Sequence, residues 1–227
     1  MEREEYQDTE IGRIPRDWKV VRLGEVVLEA KPGFACGSRD EGGILQLRMD
    51  SISPDGSVTK NGGVRIPLSE ALGDYLLRPG DILFNNTNSV DLIGKTAIFR
   101  GEFEKCVYSN HITRIRVNPG KVIPEWVLYL FIRLWNLGVF RSLCHRHVHQ
   151  AGISNRDILL LQIPLPPLPE QKKIAEILMT VDRKIELLRK KRELLGQVKK
   201  GLMEDLLTGR VRVLKLLGKE VEHGAVS

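Results

Sequence analysis

From Glu170 through Leu207 the chain contains no proline, and its apolar residues fall into a heptad rhythm. Ile174, Val181, Leu188, Leu195 and Leu202 recur every seven residues. A second seam holds Leu178 and Ile185, lapses at Arg192 and Lys199, and resumes with Val198 and Leu206. Two apolar seams sustained over several heptads predict a coiled-coil helix. Pro169 suits the first helical position and Thr208-Gly209 supplies a stop. At 1.5 Å per residue such a helix is roughly 57 Å long. So long a helix with a polar remainder cannot bury its stripe on a small domain alone and calls for a partner helix. The alternative is a helix folded back on its own domain. Gly196 in mid-helix costs about 1 kcal/mol relative to Ala and marks a bend or a close backbone approach.

The segment preceding this helix reads IPLPPLPE, with Pro164, Pro166, Pro167 and Pro169 crowded together. Such a run disfavours helix and strand interiors and predicts a stiff extended connector. The expected organisation is therefore a domain over 1–163, a connector over 164–169, a long helix over 170–208 and a tail over 209–227. The first part reads as α+β, a mixed α/β domain. Strand candidates are Ile44 to Met49, Ser57 to Lys60, Val64 to Pro67, Ile82 to Phe84, Thr96 to Phe99 and Ile112 to Val117. Asn61-Gly62-Gly63 and Arg78-Pro79-Gly80-Asp81 supply turns. Pro124-Glu125 opens a helix running to about Phe140, and Ser154 with Asp157 forms a capping box for a short one.

The 227 residues, 42% hydrophobic and 28% charged, suit a soluble globular chain. Cys36, Cys106 and Cys144 are an odd, sparse set, which argues against a disulfide scaffold and for a reducing cytoplasm. No signal peptide is expected from Met1 to Glu10. The longest apolar run, Trp126 to Ile132, falls far short of the ~20 residues a membrane span needs.

No catalytic constellation emerges. Cys144-His145-Arg146-His147-Val148-His149 is rich in imidazoles but lacks the second ligand pair usual for zinc. Asn85-Asn86-Thr87-Asn88 lacks the Pro-Pro-aromatic that would place an amide against a flipped adenine. Gly94-Lys95-Thr96 lacks the upstream glycine of a P-loop. Pro54-Asp55 hints at a metal nuclease, but no acidic-x-Lys follows in a strand. Neither a catalytic residue nor a metal site is expected.

The blocks Leu165-Pro166-Pro167-Leu168-Pro169-Glu170-Gln171, Lys173-Ile174-Ala175 and Asp182-x-Lys184-Ile185 resemble the start of the conserved helical region of specificity (S) subunits in type I restriction–modification systems. Lys200-Gly201-Leu202-Met203 and Asp205 to Val213 resemble its end. Ile11-Gly12-x-Ile14-Pro15-x-x-Trp18 is similar to the entry of a target-recognition domain, and Gly80-Asp81-Ile82-Leu83 and Gly152-Ile153-Ser154 to its interior. The resemblance implies a DNA-recognition subunit without catalysis of its own. Modification subunits would methylate adenine with S-adenosylmethionine, and restriction subunits would translocate and cleave. No cofactor is expected in this chain. The family usually carries two recognition domains and two helical regions that pair antiparallel; this chain has one of each. Two chains pairing their seams antiparallel would regenerate the two-domain arrangement as a homodimer reading an interrupted palindrome. A heterodimer with another S chain, or a truncated S subunit that sequesters modification subunits, is the alternative.

Double-stranded DNA is thus the expected partner, and exposed Arg, Lys, Asn or Gln on loops would read it. The candidates are Arg39, Arg48, Lys60, Asn85, Asn86, Asn88, Lys95, Arg146, His149 and Gln150. For the asparagine stretch, a turn that bonds its own backbone is the competing reading. The dimer seam comprises Ile174, Leu178, Val181, Ile185, Leu188, Leu195, Val198, Leu202 and Leu206. Glu170, Gln171, Asp205 and Thr208 match the helical-region motif and are candidates for partner docking; helix capping serves them equally. The net charge of +6 is unevenly spread. Residues 1–169 hold 21 cations and 20 anions, whereas residues 170–212 hold 12 and 7. The charge marks the helix more than the reading domain.

Overall fold

A computed structural model describes residues 5–59, 62–146 and 150–213. The chain divides into two compact units, Met1–Ala175 and Glu176–Ser227. The first begins with β1 (Tyr6–Thr9), β2 (Gly12–Pro15), β3 (Lys19–Arg22), β4 (Val27–Pro32), β5 (Ile44–Leu47) and β6 (Val64–Ile66). It continues with β7 (Ile82–Asn85), β8 (Thr87–Asn88), β9 (Thr96–Ile98), β10 (Cys106–Tyr108) and β11 (Ile112–Val117). Then follow α1 (Pro124–Asn136), α2 (Val139–Leu143), β12 (His145–Arg146), β13 (Ala151–Gly152), α3 (Asn155–Leu160) and β14 (Gln162–Leu165). The last element, α4 (Leu168–Leu207), starts in the first unit and runs through the second. The α+β class expected from the sequence, with a long C-terminal helix, is what the chain adopts.

Strand chemistry sets the layering. The sheet β4-β11-β7-β9 is antiparallel throughout. One face sends Ile82, Phe84, Ile98, Ile115 and Val117 into a core with Trp126, Val127, Phe131, Phe140 and Ile158 from the three short helices. The other face sends Leu83, Ala97 and Ile112 against Leu47 and Tyr108 of a second sheet, β10-β5-β6. Burial on both faces is why Ile82-Leu83-Phe84 is apolar without alternation. It also explains the broken alternation of β11. Arg114, only 1% exposed, lies on the inter-sheet face with its guanidinium over the Tyr108 ring. Its charge is met by Glu29 Oε2 at 2.6 Å and by the carbonyls of Asp74 and Leu76.

Three local expectations change. The helix opened by Pro124 breaks at Gly138, which adopts φ 75°. The left-handed turn lets α2 bring Phe140 edge-on against Phe84 and Phe131, at 5.1 and 5.4 Å. The proline-rich connector does not stay outside the sheets, because β14 pairs antiparallel with β3, Pro164 opposite Val20. Proline is tolerated there because this is a two-stranded sheet with free outer edges. Ser57 to Lys60 gives only an isolated bridge, Ile52 to Val58, and Lys60 lies outside the described residues. Ser154 caps α3 as expected, its Oγ accepting the Asp157 N–H at 3.1 Å.

The second unit is carried by α4. Its main seam is exposed from Val181 onward, with Val181, Leu188, Leu195 and Leu202 each at least half accessible. The helix ends where Gly209 turns to φ 73°. Among the described residues no helix is long and apolar enough to cross a membrane.

Candidate nucleic-acid interface

At one end of the two packed sheets β5, β7 and β10 finish while β6, β9 and β11 begin, a consequence of the pairings. Hydrogen bonds tie the loops of this end together. Lys95 Nζ donates to the carbonyls of Ile52 at 2.7 Å and Met49 at 3.4 Å, joining the start of β9 to the turn after β5. Ser109 N–H donates to Leu47 O, Asn86 N–H to His111 O, and Asn110 N–H to Phe34 O. The small sheet β12-β13-β8 brings a further segment alongside, with Ala151 paired to Asn88. Sequence positions from Phe34 to Gln150 are thereby gathered at one end.

Of the sequence candidates, Arg48, Asn86 and Lys95 lie on these loops, Asn85 and Asn88 end β7 and β8 beside them, and Arg146 and Gln150 are on or beside the adjoining strands. Arg48 is half-buried, and Arg146 and Gln150 are exposed. Arg39 is exposed in the loop after β4, its guanidinium held by the carbonyls of Cys36 and Ser38. His149 lies outside the described residues, as does Lys60.

The asparagines and Lys95 are corrected from exposed surface groups to buried ones. Asn85 is fully buried at the end of β7. Asn86 donates to Thr113 Oγ1 at 2.9 Å, and that hydroxyl donates to Asn155 Oδ1 at 2.8 Å, tying β11 to α3. Asn88 accepts the Ser89 N–H at 2.8 Å, the backbone-bonding role that competed with base reading. None of the three takes a positive φ. Lys95 is 8% exposed and spends its ammonium on carbonyls. Desolvation by burial pulls its pKa down, opposed by the charge of Asp50.

Sequence reasoning passed over Ser109, Asn110 and His111, the turn between β10 and β11. Asn110 is exposed and His111 half-buried. Burial, reinforced by the neighbouring Arg48 charge, holds the His111 imidazole below its ordinary pKa. His111 is therefore the neutral neighbour of a cation at the same end. The available signal was a polar Ser-Asn-His break between two apolar runs. Elsewhere, His145 faces Asp157 at 3.4 Å, and no cluster among the described residues could hold a metal ion.

The motif residues at the two ends of α4 have definite local tasks. Gln171 is fully buried. Its Nε2 donates to Pro166 O at 2.8 Å and Lys121 O at 3.1 Å, while its Oε1 accepts the Ile123 N–H at 3.1 Å. Direct docking of a partner by Gln171 is corrected to this internal anchoring. Glu170 accepts the Trp18 indole N–H at 2.9 Å. Ile174 packs partly buried against the helix-side core, so the free seam begins beyond it. At the other end Asp205 pairs with Arg210 at 2.6 Å, and the Thr208 hydroxyl bonds back to Glu204 O. Both belong to the helix stop, as capping requires.

Residues 15–197 match the family described as type I restriction modification DNA specificity domain. The chain belongs to this family. A Methanocaldococcus jannaschii protein assigned as the MjaX type I specificity subunit is 37% identical over 207 residues, covering 90% of this chain and 49% of the relative. The MjaVIII specificity subunit of the same organism is 30% identical, covering 95% of this chain and 51% of its own length. This specificity chain thus spans about half the length of the curated relatives it matches. The HsdS subunit of Thermoanaerobacter tengcongensis superposes with a TM-score of 0.56 at 21% identity, over 89% of this chain and 47% of that one. That likeness places the fold with solved S subunits.

Proposed function

We propose that this chain is a non-catalytic DNA-recognition subunit of a type I restriction–modification enzyme. Two copies pair α4 antiparallel, and each recognition domain reads one half of a bipartite palindromic site. The assembly directs methyltransferase and nuclease subunits to that site, with S-adenosylmethionine bound on the modification subunit. The observation that carries the reading is the exposed apolar seam of α4 in a chain of this family. Leu188, Leu195 and Leu202 would expose roughly half their surface in water unless another helix covered them.

For DNA contact the end of the sheets gathered around Arg48, Asn110 and His111, with Arg146 and Gln150 alongside, is the reading edge. It offers two guanidinium groups, two amides and an imidazole, the groups suited to base edges and phosphates. The reading domain is nearly neutral overall, so phosphate attraction comes from such local groups and from the basic helix. Three free cysteines suit a reducing cytoplasm. The test is selection from random duplexes by the full chain co-purified with its modification subunit. Enrichment of an interrupted palindrome supports the reading; recovery without sequence preference contradicts it.

A further inference from the structure

The lapse in the second seam of α4 carries a consequence for how two copies can pair. The first seam, Val181, Leu188, Leu195 and Leu202, is apolar throughout. The second runs Leu178, Ile185, Arg192, Lys199 and Leu206, with two successive cations in its middle. All of these positions lie on one continuous helix, and every one is solvent-accessible in the single chain. Neighbours on a helix surface stand three and four residues apart. For Arg192 these are Leu188, Arg189, Leu195 and Gly196; for Lys199 they are Leu195, Gly196, Leu202 and Met203. No acid is among them, so the helix supplies neither cation with a carboxylate at helical spacing. Lys190, by contrast, has Glu186 at 2.6 Å.

In a parallel, in-register pair each seam faces its own copy. Arg192 would meet the second copy's Arg192, and one heptad on Lys199 would meet Lys199. A slip of one heptad sets Arg192 against Lys199 and leaves the conflict in place. Like charges in successive core layers repel where water is excluded. In an antiparallel pair the seams cross, and each second-seam residue faces a first-seam residue. Arg192 and Lys199 then lie against Leu or Val, over which their aliphatic stems pack while the charged heads reach water at the rim. Charged core positions of this kind select register and orientation at some cost in stability.

We infer that Arg192 and Lys199 are the orientation-selecting residues of the α4 surface: they exclude a parallel pair and commit the seam to an antiparallel second copy. The inference rests on the pairing of α4 proposed above and adds which residues fix its polarity. The experiment uses the full chain carrying Cys36→Ser, Cys144→Ser and Glu204→Cys, spin-labelled at the introduced cysteine. An antiparallel pair centred near the middle of α4 separates the two labels by roughly 50 Å at 1.5 Å per residue. A parallel pair brings them within about 20 Å, set by the interaxial distance and the label arms. The expected result is a single long distance in this background and a second, short-distance population in the Arg192→Leu/Lys199→Leu variant. The charge-reversed Arg192→Glu/Lys199→Glu variant should keep the long distance alone, because two acids repel as two bases do. A leucine variant that still shows only the long distance overturns the inference while leaving the pairing intact. A short distance in the wild-type background overturns it outright. A chain that remains monomeric overturns the pairing itself.

Discussion

The Trp18 indole N–H meets the Glu170 carboxylate at 2.9 Å, a bond between side chains 152 residues apart. It ties the entry of the recognition domain to the first turn of α4. Trp18 also stacks edge-on with Trp126 at 5.5 Å, and Trp126 donates to Pro164 O at 3.1 Å. Glu170 is therefore both a favourable charge at a helix N-terminus and the acceptor that fixes the indole. Glu170→Ala should cost about 2 kcal/mol in denaturant unfolding, the scale of a hydrogen bond to a charged group, and Glu170→Gln less than half of that. Equal losses in the two variants would show that the acceptor does not matter.

Gln171 gives a sharper case. Its side chain satisfies one N–H and two carbonyls within a fully buried site. Gln171→Leu preserves bulk but strands all three groups, and each unsatisfied group costs roughly 1–3 kcal/mol. The expected outcome is a loss of about 3 kcal/mol or more, seen as a lower denaturant midpoint with an unchanged m-value. A loss under about 1 kcal/mol would mean that the backbone groups find other partners.

These two neighbours also show what a sequence can and cannot reveal. The heptads from Ile174 to Leu202 were legible because periodicity over many turns has few alternative explanations. Pro164 was misread because proline signals a break in a strand interior but fits the edge of β3 and β14, and edge position is a tertiary property. Asn86 and Asn88 looked like base readers because an amide that bonds Thr113 or its own loop is chemically identical to one that bonds DNA, and Asn85 because its burial at the end of β7 is a tertiary property. Lys95 misled for a related reason: only the packing of β9 against the turn after β5 reveals that its ammonium faces carbonyls. The proposed reading edge, Arg48 beside His111, joins residues from two different sheets, which no local pattern encodes.

Lys95 is expected to act on that edge from beneath. Lys95→Met removes the donor to Ile52 O and Met49 O and frees the turn that follows Arg48. Hydrogen exchange over residues 49–52 should accelerate roughly tenfold, corresponding to the loss of a charge-assisted bond of about 1.4 kcal/mol. Unchanged protection there would remove Lys95 from the support of the edge.

Arg48 separates two modes of contact. If it neutralises a phosphate, Arg48→Ala weakens binding to every duplex alike and lowers the slope of log K against log salt by about 1. If it reads a base, the slope holds and preference relaxes at one position of the half-site. Titration of the assembled complex at several salt concentrations distinguishes them. Unaltered affinity and unaltered preference together would exclude Arg48 from the interface.

The seam should fail when a charge enters it. Leu188→Asp places a carboxylate in a core layer of both helices of a pair, and two such changes should weaken self-association at least about 100-fold, near 3 kcal/mol. The variant should keep the fold of its recognition domain, since Leu188 lies in the second unit. Light scattering across micromolar concentrations reads the result, and an unshifted dimer would contradict the seam assignment.

The most direct measurement of the whole account is a map of methylated adenines in cells that express this chain with its modification subunit. The account predicts one interrupted palindrome, the same half-site twice in inverted order, lost when the chain carries Leu188→Asp. Methylation at two unrelated half-sites, or at a single uninterrupted site, would contradict the pairing of two identical readers through α4.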